Sequence, residues 1–135
     1  MECILGAISN LTAINERFKQ SCYENGAIQR LVLGLNSDND SKLVEPSLCA
    51  LRNLVGYFKS QHIEQIQQDF IKETKNLQTL SHWFKIERSR PVLKAAITVV
   101  TKLATNPVNH HILREQKFVL QTQMLATILC HEMVR

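Results

Sequence analysis

The chain has little that interrupts a helix: three prolines and four glycines in 135 residues, with aromatics at only 6%. That scarcity excludes a linker-like or turn-rich all-β chain and leaves a mostly helical reading. Long apolar runs are also missing. Uninterrupted stretches such as Ala95–Ile97 and Val99–Val100 are far short of a membrane span, so no membrane insertion is expected. The net charge of +4 is not gathered into any Lys/Arg cluster, which argues against direct binding of nucleic acid. Cys3, Cys22, Cys49 and Cys130 are too scattered for a disulfide framework or a zinc site, and no signal peptide precedes them. They are expected to be reduced, intracellular and mostly buried.

Catalytic and cofactor signatures are equally sparse. No glycine-rich phosphate loop occurs. His131-Glu132 lacks the second histidine of a metalloprotease helix, and His111 with Glu115 has no third ligand nearby. Asp38-Asn39-Asp40 lacks the glycine and later glutamate of a calcium loop, so turn chemistry explains it. No cysteine stands in a recognisable nucleophile setting. The expectation is therefore no enzyme, no metal and no cofactor.

What the chain does have is a recurring helix ending: I-S-N-L-T at Ile8–Thr12, L-R-N-L-V at Leu51–Val55 and V-T-K-L-A at Val100–Ala104. Asn53 lies 43 residues after Asn10, and Lys102 a further 49, a spacing typical of helical solenoids. Helix breaks follow at Asn25-Gly26, Lys75-Asn76-Leu77 and Gln116-Lys117-Phe118. A unit repeated this way cannot bury its own apolar face; it stacks on its neighbours and leaves one long surface free.

The stretches between those marks read as helices. Ile4, Leu5, Ile8 and Leu11 give an amphipathic opening helix. Asn15 is a candidate N-cap for a short first helix, and Gly26 turns the chain into a second over Ala27–Leu35. Asn36–Ser41 is a polar loop, and Pro46 is expected in the first turn of the third helix, whose stripe is Leu48, Leu51, Leu54 and Val55. Ile63, Ile66, Phe70 and Ile71 begin the next set, followed by Leu77, Leu80, Trp83 and Phe84, with Trp83 expected in the core. The set closes with a helix entered through Pro91 and ended by Asn106-Pro107. The division expected is a partial repeat at 1–14, full repeats at 15–60 and 61–105, and a partial repeat at 106–135. Both ends carry apolar stripes without a polar cap, which reads as a segment of a longer array.

These residues resemble a known family. N-G-A-I-Q-R-L-V at Asn25–Val32, E-P-S-L-C-A-L-R-N-L at Glu45–Leu54, P-V-L-K-A at Pro91–Ala95 and N-P-V-N-H…L-R-E-Q at Asn106–Gln116 are similar to armadillo repeats of the β-catenin and plakoglobin group. The order is the same, and the resemblance covers roughly Cys3–Gln116. It implies an all-α, armadillo-type right-handed superhelix of three-helix repeats, without enzymatic activity. It also implies a basic groove, lined by third helices, that takes extended acidic segments of cadherin tails or transcription-factor arms. The family's setting implies a cytoplasmic protein with nuclear and cell-junction pools.

Carried over by position, the resemblance makes Asn10 a clamp for a ligand backbone and Lys19 a partner for a ligand carboxylate. Arg52 and Lys94 become groove cations. Asn53 stands where the family often has His, Ile14 where Asn is usual, and Thr101 where a groove Arg is usual, with Lys102 beside it as a point-charge substitute. Lys117-Phe118 replaces the family's usual Gly-Ala. The chemistry is coherent: amides both donate and accept, as an unpaired peptide backbone requires, and Lys or Arg meets acidic side chains. From periodicity alone, solvated helix faces with capping asparagines are the commoner explanation. A purely structural helical scaffold and an importin-like binder of basic peptides are the other readings, the latter disfavoured by Arg52 and Lys94.

Overall fold

The computed structural model describes residues 2–37, 41–56, 63–85 and 88–134. Nine α-helices and one short 3-10 turn account for nearly all of them, with no strand among the described residues. In chain order they are α1 (Glu2–Ile14), α2 (Glu16–Glu24), α3 (Ala27–Ser37), α4 (Ser41–Val55), α5 (Ile63–Lys72), α6 (Thr74–Trp83) and α7 (Arg90–Ala104). The 3-10 turn Pro107–Asn109 then leads into α8 (His110–Glu115) and α9 (Phe118–Val134). Two shorter helices followed by a fifteen-residue one occur twice, as α2–α3–α4 and α5–α6–α7. α1 stands ahead as a third-type helix, and α8–α9 follow as a first and second. The fold is an all-α superhelical repeat.

Local chemistry sets most of the boundaries. Asn15 caps α2, its side-chain oxygen accepting from the Phe18 N–H at 3.0 Å. Gly26 takes φ +76 between α2 and α3, a left-handed conformation that glycine adopts without steric cost. Pro91 stands in the first turn of α7, where its missing N–H leaves no carbonyl unpaired.

Two boundaries differ from the sequence expectation. α4 begins at Ser41, so Pro46 lies inside the helix and removes the donor that would meet the Lys42 carbonyl. Val44, only 3% exposed, anchors the extra turn to the core. The second break falls at Glu73 rather than at Lys75-Asn76-Leu77. Asn76 is buried inside α6, and its amide donates to the Phe70 carbonyl at 3.0 Å, closing the end of α5. Residues 38–40, which include the Asp38-Asn39-Asp40 turn, and 57–62, which include the expected repeat boundary at 60, lie outside the described residues.

The core runs through the middle of the stack. α4 packs along α1 on one side and α7 on the other, and against α3 at its back. Leu48, Leu51, Leu54 and Val55 are fully buried, as their stripe predicts, but so are Ala50 and nearly Val44 and Ser47. Trp83 is buried as expected; its indole N–H donates to the Leu35 carbonyl at 3.2 Å, and the Arg88 guanidinium lies 4.4 Å from its ring centre. Phe84 and Phe118 meet edge to face at 5.7 Å, joining α9 to the body.

The cysteines correct an expectation. Cys3 and Cys130 are exposed, and Cys22 and Cys49 are half-buried. The exposed pair belong to α1 and α9, the outermost helices, whose outer sides no other described helix covers.

Lys117 takes φ 64 at the α8–α9 junction, the same backbone state that Gly26 supplies between α2 and α3. A residue with a Cβ pays about 1–2 kcal/mol there. Gly26→Ala is accordingly expected to lose about 1–2 kcal/mol. Lys117→Gly should gain less, up to about 1 kcal/mol, because glycine also loses more backbone entropy on folding. Urea unfolding midpoints of the two variants check both signs.

Candidate functional site

The candidate surface is the row of third helices. Asn10 is on α1, Arg52 and Asn53 on α4, and Lys94, Thr101 and Lys102 on α7. Asn10, Lys94 and Thr101 are exposed, while Arg52, Asn53 and Lys102 are half-buried. Lys19 is set apart on α2. It is 3% exposed, with its ammonium 3.7 Å from a Glu16 carboxylate oxygen.

Asn53 has work inside the fold. Its amide nitrogen donates to the Ser9 carbonyl of α1 at 2.8 Å and lies 3.4 Å from the Thr12 hydroxyl, while its oxygen accepts from Arg52 Nε at 3.2 Å. The amide is thus neither a cap nor a free clamp: it ties α4 to α1 and orients Arg52. Thr12, fully buried, donates back to the Ile8 carbonyl at 2.7 Å and so offers Asn53 an oxygen. Thr101 donates to the Ile97 carbonyl of its own helix at 2.8 Å.

Lys102 lies over the end of α4. A Cβ at Gly56 would come within 2.6 Å of the Arg52 carbonyl oxygen and 3.4 Å of Lys102 Cγ and Cδ, so only glycine permits this close approach. A cleft of about 340 Å³ opens there, lined by Gly56, Ile63, Glu64, Gln67, Lys102 and the Thr105–Pro107 loop. Lys94 lies eight residues before Lys102 on α7. At 1.5 Å per residue that is about 12 Å along the axis, so these two cations stand at separate points of the row.

The polar residues that hold the row in place were not singled out from sequence. Gln67, buried on α5, donates to the Val55 carbonyl at 2.9 Å and the Lys102 carbonyl at 3.2 Å. Asn109, also buried, donates to the Leu103 carbonyl at 2.8 Å and to Gln67 Oε1 at 3.2 Å. Two amides therefore supply donors to the Val55 carbonyl at the end of α4 and to the Lys102 and Leu103 carbonyls at the end of α7. His110 adds a bond from Nε2 to the Ala104 carbonyl at 2.7 Å. The available signal was an amide beside an apolar stripe position, as Gln67 follows Ile66.

The first helices are joined by a second polar link. Tyr23 of α2 donates to Asp69 of α5 at 2.7 Å, and Gln65 donates to the other carboxylate oxygen at 2.7 Å. The Tyr23 hydroxyl, helped by Gln65 and Lys72, holds Asp69 below its ordinary range against the effect of partial burial. The same bond raises the Tyr23 phenol. Burial also raises the Cys22 and Cys49 thiols, which keeps them protonated and poor nucleophiles. His111 pairs with Glu115 at 3.0 Å on an exposed face, and no group of three or more metal-ligating side chains occurs among the described residues. No helix among them is long and apolar enough to cross a membrane.

Stacked three-helix units with polar ties at the helix ends define an α-solenoid repeat protein. Comparison with known proteins makes the class specific. The chain is 31% identical over 115 residues to the Armadillo segment polarity protein of Drosophila melanogaster and 33% identical over 115 residues to the Catenin beta of Urechis caupo. It is 28% identical over 117 residues to the Junction plakoglobin of Homo sapiens. These matches cover 84%, 84% and 85% of this chain but 13%, 14% and 15% of the relatives. No protein-family model matches the chain. The chain belongs to the armadillo-repeat proteins of the β-catenin and plakoglobin group.

Two outcomes test this framework. Asn109→Ala leaves the Leu103 carbonyl and Gln67 Oε1 without their buried donor, an expected loss of about 2–3 kcal/mol in urea unfolding. Tyr23→Phe removes a partly buried hydrogen bond, an expected loss of about 0.5–1.5 kcal/mol at neutral pH. Because the folded Asp69 pKa lies below the unfolded one, that link is complete above about pH 4 and is lost as pH falls through the folded value. The gap between wild type and Tyr23→Phe should therefore narrow in acid, which melting curves from pH 7 down to pH 3 would reveal.

Proposed function

We propose that this chain is a non-enzymatic binding scaffold that takes an extended acidic segment along its third helices. The ligand class is that of a cadherin cytoplasmic tail or a transcription-factor arm, met in the cytoplasm with nuclear and junctional pools. Partners are proteins, with neither nucleic acid contacted directly nor a membrane entered. The observation that carries the reading is the side-by-side packing of α1, α4 and α7, with Arg52, Lys94 and Lys102 spread along it. An extended strand crossing the three helices meets a backbone partner in Asn10 and carboxylate partners in those cations.

Each residue has a defined part. Arg52, oriented by Asn53, is the strongest carboxylate partner because its guanidinium can bind in two-point fashion. Lys94 and Lys102 act as point charges, and Thr101 offers a hydroxyl. Lys19 joins only by exchanging Glu16 for a ligand carboxylate. With few cations and one amide already engaged, affinity comes from several weak contacts in sequence. A second reading, a structural helical scaffold, is favoured by the apolar residues exposed on α1 and α9.

Amide NMR titration with an acidic cadherin-tail-like peptide tests the groove. Shifts should gather on Asn10, Arg52, Lys94 and Lys102 and fade with added salt. Arg52→Ala and Lys94→Ala should each weaken binding roughly fivefold, about 1 kcal/mol apiece. A well-dispersed spectrum that ignores the peptide would leave the structural reading in its place.

A further inference from the structure

We infer that the cleft where α4 and α7 end reads the charge pattern of a bound segment, taking an acidic residue beside Asn106 and Lys102 and a basic residue at Glu64. Resting on the proposed groove, this narrows the ligand class from an acidic segment to one with a basic residue set at a fixed place among the acids. The cleft lies between α4, α5 and α7, and its volume of about 340 Å³ falls within the range of ligand sites.

Hydrogen-bond supply singles out Asn106. Among the described side chains that line the cleft, Gln67 has both ends of its amide committed. Its Nε2 donates to the Val55 and Lys102 carbonyls, and its Oε1 accepts from Asn109. The Thr105 hydroxyl donates to the Lys102 carbonyl at 2.6 Å. Asn106 Oδ1 accepts from the Val108 N–H at 3.2 Å, but Asn106 Nδ2 is buried and has no hydrogen-bond partner. Exchanging the two ends of that amide would set a donor against the Val108 N–H, so the cap itself fixes which atom is left over. A buried donor without an acceptor is uncommon and costly in a folded protein. An oxygen that enters the cleft supplies what Asn106 lacks, and Lys102 beside it favours a carboxylate over a carbonyl.

Charge then decides the neighbouring residue of the ligand. Glu64, exposed in the first turn of α5, lines the same cleft and makes no ion pair among the described residues. An unbroken run of acids brings like charge against it, whereas a Lys or Arg in the segment pairs with it. Attraction for one pattern and repulsion of the other together give specificity, which attraction alone does not. In an extended strand, side chains two residues apart point the same way at about 7 Å spacing. An acid and a base separated by one residue therefore reach one cleft together.

Fluorescence anisotropy with synthetic peptides tests the assignment at fixed low salt. A peptide of about ten residues extends over roughly 33 Å, enough to cross three helices packed about 8–10 Å apart. The series is one uniformly acidic parent and versions with Lys placed at each position in turn. On the wild type, Lys should weaken binding at most positions, and one register should bind about three- to fivefold more tightly than the parent. Glu64→Gln, an exposed change that leaves the core intact, should erase that preference. Asn106→Asp keeps the oxygen that caps the Val108 N–H and removes the donor, so it should weaken the whole series roughly tenfold, with urea unfolding establishing that its fold is intact. Arg52→Ala should weaken every peptide and leave the favoured register in place. Peptides that bind without a favoured register, or with one that survives Glu64→Gln, overturn the cleft assignment and leave the groove standing. Wild-type affinity in a folded Asn106→Asp does the same. Failure of every peptide to bind the wild type overturns the groove, and the cleft assignment with it.

Discussion

Everything in this molecule depends on α4 being buried from two sides. An ordinary amphipathic helix needs one apolar stripe, but α4 packs on α1 along one flank and α7 along the other. That is why Ala50 and Ser47 are buried beside the leucines: small residues let the neighbouring third helices come close. Gly56 extends the same demand to the helix end, where Lys102 lies over a backbone with no room for a Cβ. With two flanks and a back in contact, α4 has one face left for solvent, and the row of third helices becomes a surface by elimination.

Burying helix ends inside such a stack raises a second problem, because the last carbonyls of each helix lack intrahelical donors. Side-chain amides solve it here. Asn76 closes α5, while Gln67 and Asn109 together close α4 and α7 and hydrogen-bond to each other. Asn53 does the related task between third helices by reaching the Ser9 carbonyl. Apart from the Asn76 tie within one repeat, these ties join one repeat to the next, so the polar groups that satisfy the backbone also set how the repeats sit together. The candidate cations inherit their positions from these ties, Arg52 most directly through Asn53.

Much of this was legible in the residues. The spacing of Asn10, Asn53 and Lys102 marks the third helices, Asn15 and Gly26 mark real boundaries, and the Leu48–Val55 stripe is the centre of the core. Less legible were residues whose role depends on a neighbour distant in the chain. Asn76 looks like a turn former because asparagine usually is one, yet it donates inward. Pro46 looks like a helix start because proline favours the first turn, yet the packing of Val44 carries the helix past it. The cysteines were expected to be mostly buried, but Cys3 and Cys130 are exposed on α1 and α9.

The sequence by itself determined the periodic elements: helix period, apolar stripe, cap and glycine turn are all properties of a few consecutive residues, where backbone sterics and local hydrogen bonds decide. It also determined, through its repeat spacing, that these elements stack. Only the tertiary structure decided which polar side chains face solvent on the row of third helices and which are consumed within the fold. Asn53 shares its helix ending with Asn10, yet its amide is spent on the Ser9 carbonyl of α1 and on Arg52. The physical reason is that a hydrogen bond across helices depends on a partner some forty residues away, and no local pattern encodes whether that partner is there.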